Sequence, residues 1–406
     1  MTGSIPDETS IRYEGWRIVA VCFAVATFSW ALGFYGQSVY LAELQRLHGW
    51  PASLISTATT FFYLGSALLV AFVGDAIRII GPRTCLLGGL AATALGTALL
   101  GRVEAPWQLY GIYVLLAIGW AGTSLGAITS TLGLWFDRRR GMAISLALNG
   151  ASFGGIAGVP LLVLAIGHLG FAGATLAAAL ASLLVIAPLV AVLVGRPPLH
   201  AAFLAGAGAP LALSSGAIRR HALRDGDFLI VTTAFALVLF AQVGFIVHVI
   251  AYLDPLIGRE RAAVAVSLLT MMAVVGRVAM SAVIDRINQR LAAALSFASQ
   301  AVALTILILT REPALMLAAC ALFGFSVGNL ITLPALIVQR EFAPSSFGVL
   351  VSLNTAINQV TYAFGPGVVG WLRDASGSYT LPFAVCIALE LIAAALILVR
   401  SPKSPS

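Results

Sequence analysis

The sequence predicts an all-α integral membrane protein with twelve transmembrane helices in two pseudo-symmetric six-helix halves. Three observations carry this. The 406 residues are 60% hydrophobic and only 10% charged, a balance outside the range of soluble globular domains. Apolar segments of the roughly 20 residues needed to cross a bilayer core recur along the whole chain. Finally, the longest polar break falls at the midpoint and divides six segments from six.

The spans are placed at 16–41, 53–77, 83–101, 107–134, 141–166, 170–195, 228–253, 262–284, 291–310, 314–338, 347–371 and 380–399. They are too long, and too poor in alternation, for barrel strands. The first fifteen residues are polar and mixed in charge, which does not read as a cleaved signal peptide. Spans one to six and their breaks form an N-terminal half, 1–195. A linker, 196–227, is rich in Gly, Ala, Pro and Ser and ends in a basic cluster. The C-terminal half is 228–406.

The net charge of +7 follows the membrane topology. With both termini on one side, that side carries Arg12, Arg17, Arg78, Arg83, Arg138, Arg139, Arg140, Arg196, Arg219, Arg220, Arg224, Arg286, Arg290, Arg340, Arg400 and Lys403. The other carries only Arg46, Arg102, Arg259, Arg261, Arg311 and Arg373. Basic residues gather on the cytoplasmic side of membrane proteins, so both termini are expected there, in a bacterial-type inner membrane. The excess calls for no nucleic-acid partner. Cys22, Cys85, Cys320 and Cys386 all fall inside spans without metal-type spacing, so neither a metal nor a disulfide framework is expected. No phosphate-cradling GxxxxGK[ST] loop appears, which argues against an ATP-driven pump. No nucleophile–base set lies in the spans, which argues against an enzyme. No cofactor is expected, and a monomer is.

The break after span two reads GDAIRIIGPR, from Gly74 to Arg83. The break after span eight reads SAVIDRINQR, from Ser281 to Arg290. Both resemble the loop signature of the major facilitator superfamily. Gly74, Gly81 and Arg83 match in the first copy, and Asp285, Arg286 and Arg290 in the second. Arg78, Ser281 and Asn288 depart from the pattern. Arg83, Asp285 and Arg286 are therefore candidate residues of the conformational loops. The stretches YEGWRIV at Tyr13, WFDRRRGMAISLALNGASFGG at Trp135, HVIAYLDP at His248 and FGPGVVGWLRDASGSY at Phe364 resemble the monocarboxylate transporter family and the neighbouring oxalate/formate antiporters. The resemblance implies the major facilitator fold and a secondary transporter of small organic anions.

Polar residues inside the spans are the candidate site. Arg277, in VVGRVAMSAVIDR, lies eight residues before the Asp285–Arg286 helix end, about 12 Å into the span. A guanidinium there costs roughly 2.5–3.5 kcal/mol on insertion scales and usually marks a pathway. The alternative is that its long side chain snorkels to the interface. The family resemblance implies pairing with a substrate carboxylate, which the planar guanidinium fork suits. Most acids fall in breaks or at span ends. Glu390 alone is deeply embedded, and the position four residues before Arg277, acidic in many animal relatives, is Ala273.

His248 fits a proton carrier or ligand donor, and fits equally a structural hydrogen-bonder between helices. Asn354, Asn358 and Tyr362 share one helix face, lining a path or bonding a neighbouring helix. Tyr35 and Gln37 in span one, with Trp30, and Trp120 and Asn149 in spans four and five complete the candidates. Gly150, Gly154 and Gly158 recur at a spacing that allows close helix approach.

The expected function is secondary active transport of small organic anions, chiefly monocarboxylates, by alternating access with proton symport or anion exchange. His248 is the coupling candidate. The partners would be the solute, protons and the lipid bilayer. Two other readings stay open: an exporter of neutral or acidic drug-like compounds, and a non-transporting membrane sensor on the same fold.

Overall fold

The structure is a computed structural model and describes residues 8, 10, 13–195, 215–284, 286–343 and 346–399. Among these the chain is helical throughout, without strands. Its helices are α1 (Gly15–His48), α2 (Ala52–Ile80), α3 (Pro82–Leu100) and α4 (Pro106–Leu132). The continuous stretch Arg140–Leu193 follows. Then come α7 (Ser215–Ala222), α8 (Gly226–Ile257), α9 (Arg259–Val283), α10 (Gln289–Leu309), α11 (Pro313–Glu341), α12 (Phe347–Ala363), α13 (Gly365–Ser376) and α14 (Thr380–Leu398).

Ten of the described helices are long and apolar enough to cross a membrane, and two details reconcile ten with twelve. Arg140–Leu193 has 54 residues, about 81 Å at helical rise, far more than a bilayer about 30 Å thick. It breaks at Gly170, whose φ of 70° is non-helical and open to glycine without a Cβ penalty. Its two arms, α5 (140–169) and α6 (171–193), are separate spans. The eleventh span is interrupted at Phe364–Pro366, so neither α12 nor α13 alone has full length. Proline at the second position of α13 lacks the N–H that would continue the ladder from α12.

The chain forms two compact units. One comprises residues 1–37 and 65–208, the other 38–64 and 209–406. This grouping differs from a division at the central linker, because 38–64, the adjoining ends of α1 and α2, cluster with the C-terminal half. The linker's residues 196–214 lie outside the described residues.

In the first unit, a core of Ile18, Val21, Cys22, Val25, Leu86, Ile128, Phe136 and Ala147 joins α1, α3, α4 and α5. The α5 glycines face α1. A Cβ on Gly150 would lie 3.1 Å from Ala26 Cβ, and one on Gly154 3.0 Å from the Ala31 amide, so the small residues set the approach. Each helix carries a π-helical turn at this contact, Trp30–Tyr35 in α1 and Gly154–Gly158 in α5.

The family-like stretches at Tyr13 and Trp135 also meet. The Tyr13 hydroxyl donates to the Trp135 carbonyl, and Tyr13 and Trp16 pack edge-on against Phe136. The Glu8 carboxylate accepts from the amides of Asp137 and Arg139 at 2.8 and 2.7 Å. Burial and then the nearby charges of Glu8 and Glu14 push the Tyr13 phenol above its usual range.

In the second unit, α8, α10, α11 and α14 enclose a core that includes Val231, Phe235, Val238, Phe297, Leu333, Ala393 and Ile397. The α9–α11 pair is packed over Gly276, Gly324 and Gly328. Asp374 accepts from the amides of Ala52 and Ser53, at 3.2 and 2.7 Å, and so caps the start of α2. Glu43 is paired with Arg259 at 2.6 Å and Arg46 at 2.8 Å. These contacts give the grouping of 38–64 with the C-terminal half its physical basis.

Candidate functional site

Arg277 lies on α9, half-buried, inside an apolar segment long enough to span. One turn before it, Ala273 is 3% exposed. A Cβ on Gly328 of α11 would lie 3.0 Å from the Ala273 carbonyl carbon and 3.2 Å from Arg277 Cβ. The glycines of α11 thus bring its backbone against the face of α9 that carries Ala273 and the base of Arg277. Next to Gly328, Asn329 is buried and donates to the Phe325 carbonyl at 3.4 Å. Asn329 is not among the candidates that the sequence offers. Its signal was an amide in an otherwise apolar run, beside a glycine.

His248 is fully buried in α8. Its Nδ1 lies 3.1 Å from the Tyr379 hydroxyl and its Nε2 3.0 Å from the Pro366 carbonyl. A carbonyl can only accept, so Nε2 carries the hydrogen. In the neutral ring Nδ1 then accepts from Tyr379. The imidazole spans from α8 to the proline-containing start of α13, where the backbone ladder is broken.

Asn354 and Asn358 are buried. Asn358 donates to Asn354 Oδ1 at 2.9 Å, and Asn354 to Thr232 Oγ1 of α8 at 3.0 Å. This amide chain ties α12 to α8, while the Asn358 side-chain oxygen has no hydrogen-bond partner. Tyr362 continues the face and packs edge-on against Tyr63, with centroids 5.7 Å apart. Another buried amide pair, Gln300 Nε2 to Gln242 Oε1 at 2.9 Å, joins α10 to α8. The pair is not legible in the sequence, because each glutamine stands alone in its own span.

The other candidates lie in the first unit. Trp120 of α4 packs against Trp30, with centroids 4.8 Å apart, and Phe34, at 6.4 Å. Tyr35 packs edge-on to Phe34 at 5.1 Å. Gly33 leaves room for the indole, since a Cβ there would lie 2.6 Å from Trp120 Cε3. Gln37 is buried and donates back to the Gly33 carbonyl at 3.1 Å. The structure therefore gathers Trp30, Phe34, Tyr35 and Trp120 into one aromatic group around the π-helical turn of α1. Asn149 is exposed on α5, next to the Gly150 that faces α1.

Of the loop candidates, Arg83 and Arg286 are exposed, and Asp285 lies outside the described residues. The firmly held member of that motif is Arg290, 3% exposed. It bonds Glu341 at 2.8 and 2.7 Å, Asp227 at 3.1 Å and the carbonyls of Ile397 and Val399 at 3.3 and 2.6 Å. Among the described residues no group of three or more His, Cys, Asp or Glu side chains is placed to hold a metal.

Residues 21–348 and 256–406 match the sequence pattern of the Major Facilitator Superfamily. The chain belongs to this family. It is similar to monocarboxylate transporter 13 of Bos taurus, 28% identical over 405 residues that cover 96% of this chain and 89% of that protein. It is also similar to monocarboxylate transporter 12-B of Danio rerio, 25% identical over 95% of this chain and 86% of that one. Among solved structures, the nucleoside transporter NupG superposes with a TM-score of 0.80 over 94% of this chain and 99% of its own, at 10% identity. That last likeness is one of fold alone. The protein is a multi-pass membrane transporter of the major facilitator fold and not an enzyme.

Proposed function

We propose that this transporter moves small monocarboxylates across the membrane by alternating access, with Arg277 as the group that recognises the carboxylate. The observation that carries the reading is Arg277 itself. It is a permanently charged fork, half-buried in a spanning helix and backed by a glycine-mediated helix contact that fixes its base. A solute carboxylate suits this group, because the planar guanidinium offers it two parallel hydrogen bonds. The names of the similar proteins support the same solute class.

His248 serves mainly to position α13, through Pro366. The arginine bias supports a topology with both termini in the cytoplasm.

The test is Arg277→Lys in purified protein. Lysine keeps the charge but loses the two parallel donors. A charge-assisted hydrogen bond is worth about 1.5–3 kcal/mol, so lactate affinity is expected to fall by about ten- to a hundred-fold. Wild-type affinity in the lysine variant removes the carboxylate-clamp assignment.

A further inference from the structure

Helix α14 presents the buried stripe Phe383, Cys386, Glu390, Ala393 and Ile397. The spacing of alternating three and four is that of a packed helix seam. Four of these side chains are apolar or weakly polar. Glu390 takes the central position, is 0% exposed, and neither of its carboxyl oxygens has a hydrogen-bond partner among the described residues. An ionised carboxylate in such surroundings is strongly disfavoured without a counter-charge or donors. The side chain is therefore held as the neutral acid, which means that it carries a proton.

No charge on the packed helices is placed to replace that proton. The ionisable side chains of α8 are Asp227, bonded to Arg290, His248, bonded to Tyr379 and Pro366, Tyr252, bonded to the Leu307 carbonyl and Arg311, and Asp254, paired with Arg259. On α10 the only such residue is Arg290, engaged at the cytoplasmic end. On α13 they are Arg373 and Asp374, engaged with each other. Cys386 is the only other titratable group on α14, and its thiol lies 3.9 Å from the Ala241 carbonyl.

The contacts along α14 also set the register. Cys386 lies against Ala241 and Phe383 against Phe245, so α14 runs antiparallel to α8, and Glu390 stands about five residues, roughly 7.5 Å along the axis, from Gln242. Gln300 Oε1 is a buried acceptor with no donor. A protonated Glu390 is a buried donor with no acceptor. Two complementary defects thus lie in the core of one unit, and a movement of α14 along α10 is what would bring a donor to an acceptor.

We propose that Glu390 is a proton-binding site of the transport cycle, holding its proton in this conformation and exchanging it with water on the side of the Gln242–Gln300 pair when α14 shifts. In the release step the carboxyl O–H bond breaks and a water takes up the proton. The amides orient that water and keep their own protons. The proposal rests on the protein being a transporter and is independent of the identity of its solute.

The experiment is infrared spectroscopy of the purified full chain in lipid nanodiscs. At neutral pH the wild type is expected to show a protonated-carboxyl stretching band that is lost in Glu390→Gln. That band is expected to shift down on transfer to heavy water, because the proton exchanges. Glu390→Asp guards against a misfolded glutamine variant, since it keeps the acid and should displace the band without abolishing it. A wild-type spectrum with no band dependent on Glu390 overturns the proposal, because the group is then ionised. A band that never shifts in heavy water overturns it as well, because the proton is then a locked structural one. Wild-type protein that passes both infrared tests yet binds no lactate refutes the monocarboxylate reading alone.

Discussion

Replacing Gly276 by alanine is the sharpest test of how the site is held. Gly276 immediately precedes Arg277, and the α9–α11 contact is closest there. An added methyl would lie 2.7 Å from the Phe325 carbonyl carbon and nearer still to its oxygen, where ordinary contact begins at 3.4 Å. The obstacle is backbone, which no rotamer change can move: relieving the carbonyl carbon alone takes about 0.7 Å of local separation, and the oxygen demands more. Overpacking of this kind costs about 1–3 kcal/mol. Displacing a recognition group by about 1 Å lowers activity by up to about a hundred-fold. Gly276→Ala is therefore expected to insert into the membrane, to melt several degrees below the wild type, and to lose most of the monocarboxylate flux proposed for the wild type. Gly348→Ala is the control, because a methyl there meets nothing within 4 Å. Wild-type melting together with wild-type flux in Gly276→Ala would refute the claim that the glycine contact sets the position of Arg277.

Two further outcomes follow from ion pairs away from the solute site. Arg290→Met should destabilise the second unit by about 3 kcal/mol, since it leaves Glu341 and Asp227 without their buried partner; unchanged thermal melting would contradict this. Burial opposes the charge of Asp374, but the amide and hydroxyl of Ser53, the Arg373 guanidinium and the Ala52 amide outweigh it and hold the carboxyl below its usual 3.8. A depressed value means that the Asp374 contribution is fully present above the unfolded-state value and is lost only as pH falls through the lower, folded-state value. The melting difference between wild type and Asp374→Asn should accordingly stay constant from pH 7 to about 5 and close only below about 4. A difference that disappears between pH 6 and 5 would show that Asp374 is not held by these donors.

The sequence by itself determined that the chain is a twelve-span helical membrane protein, because hydrocarbon leaves backbone groups no partner except within a helix and the required length is read directly from the apolar runs. It also picked out Arg277, His248, Asn358 and Tyr362, since a polar side chain in an apolar run stands out without any knowledge of its neighbours. Only the tertiary structure decided what those side chains do locally. Asn354 and Asn358 form an amide chain to Thr232, and both nitrogens of His248 are bonded, to Tyr379 and Pro366; these partners are 118 to 131 residues distant in sequence. The burial of Arg290, the cap that Asp374 places on α2, and the pairing of Gln242 with Gln300 were silent in the sequence for the same reason. A one-dimensional pattern records which residues avoid lipid or water. It does not record which two helices approach over a glycine, and that approach decides whether a buried polar group finds a partner or, like Glu390, is left with a proton instead.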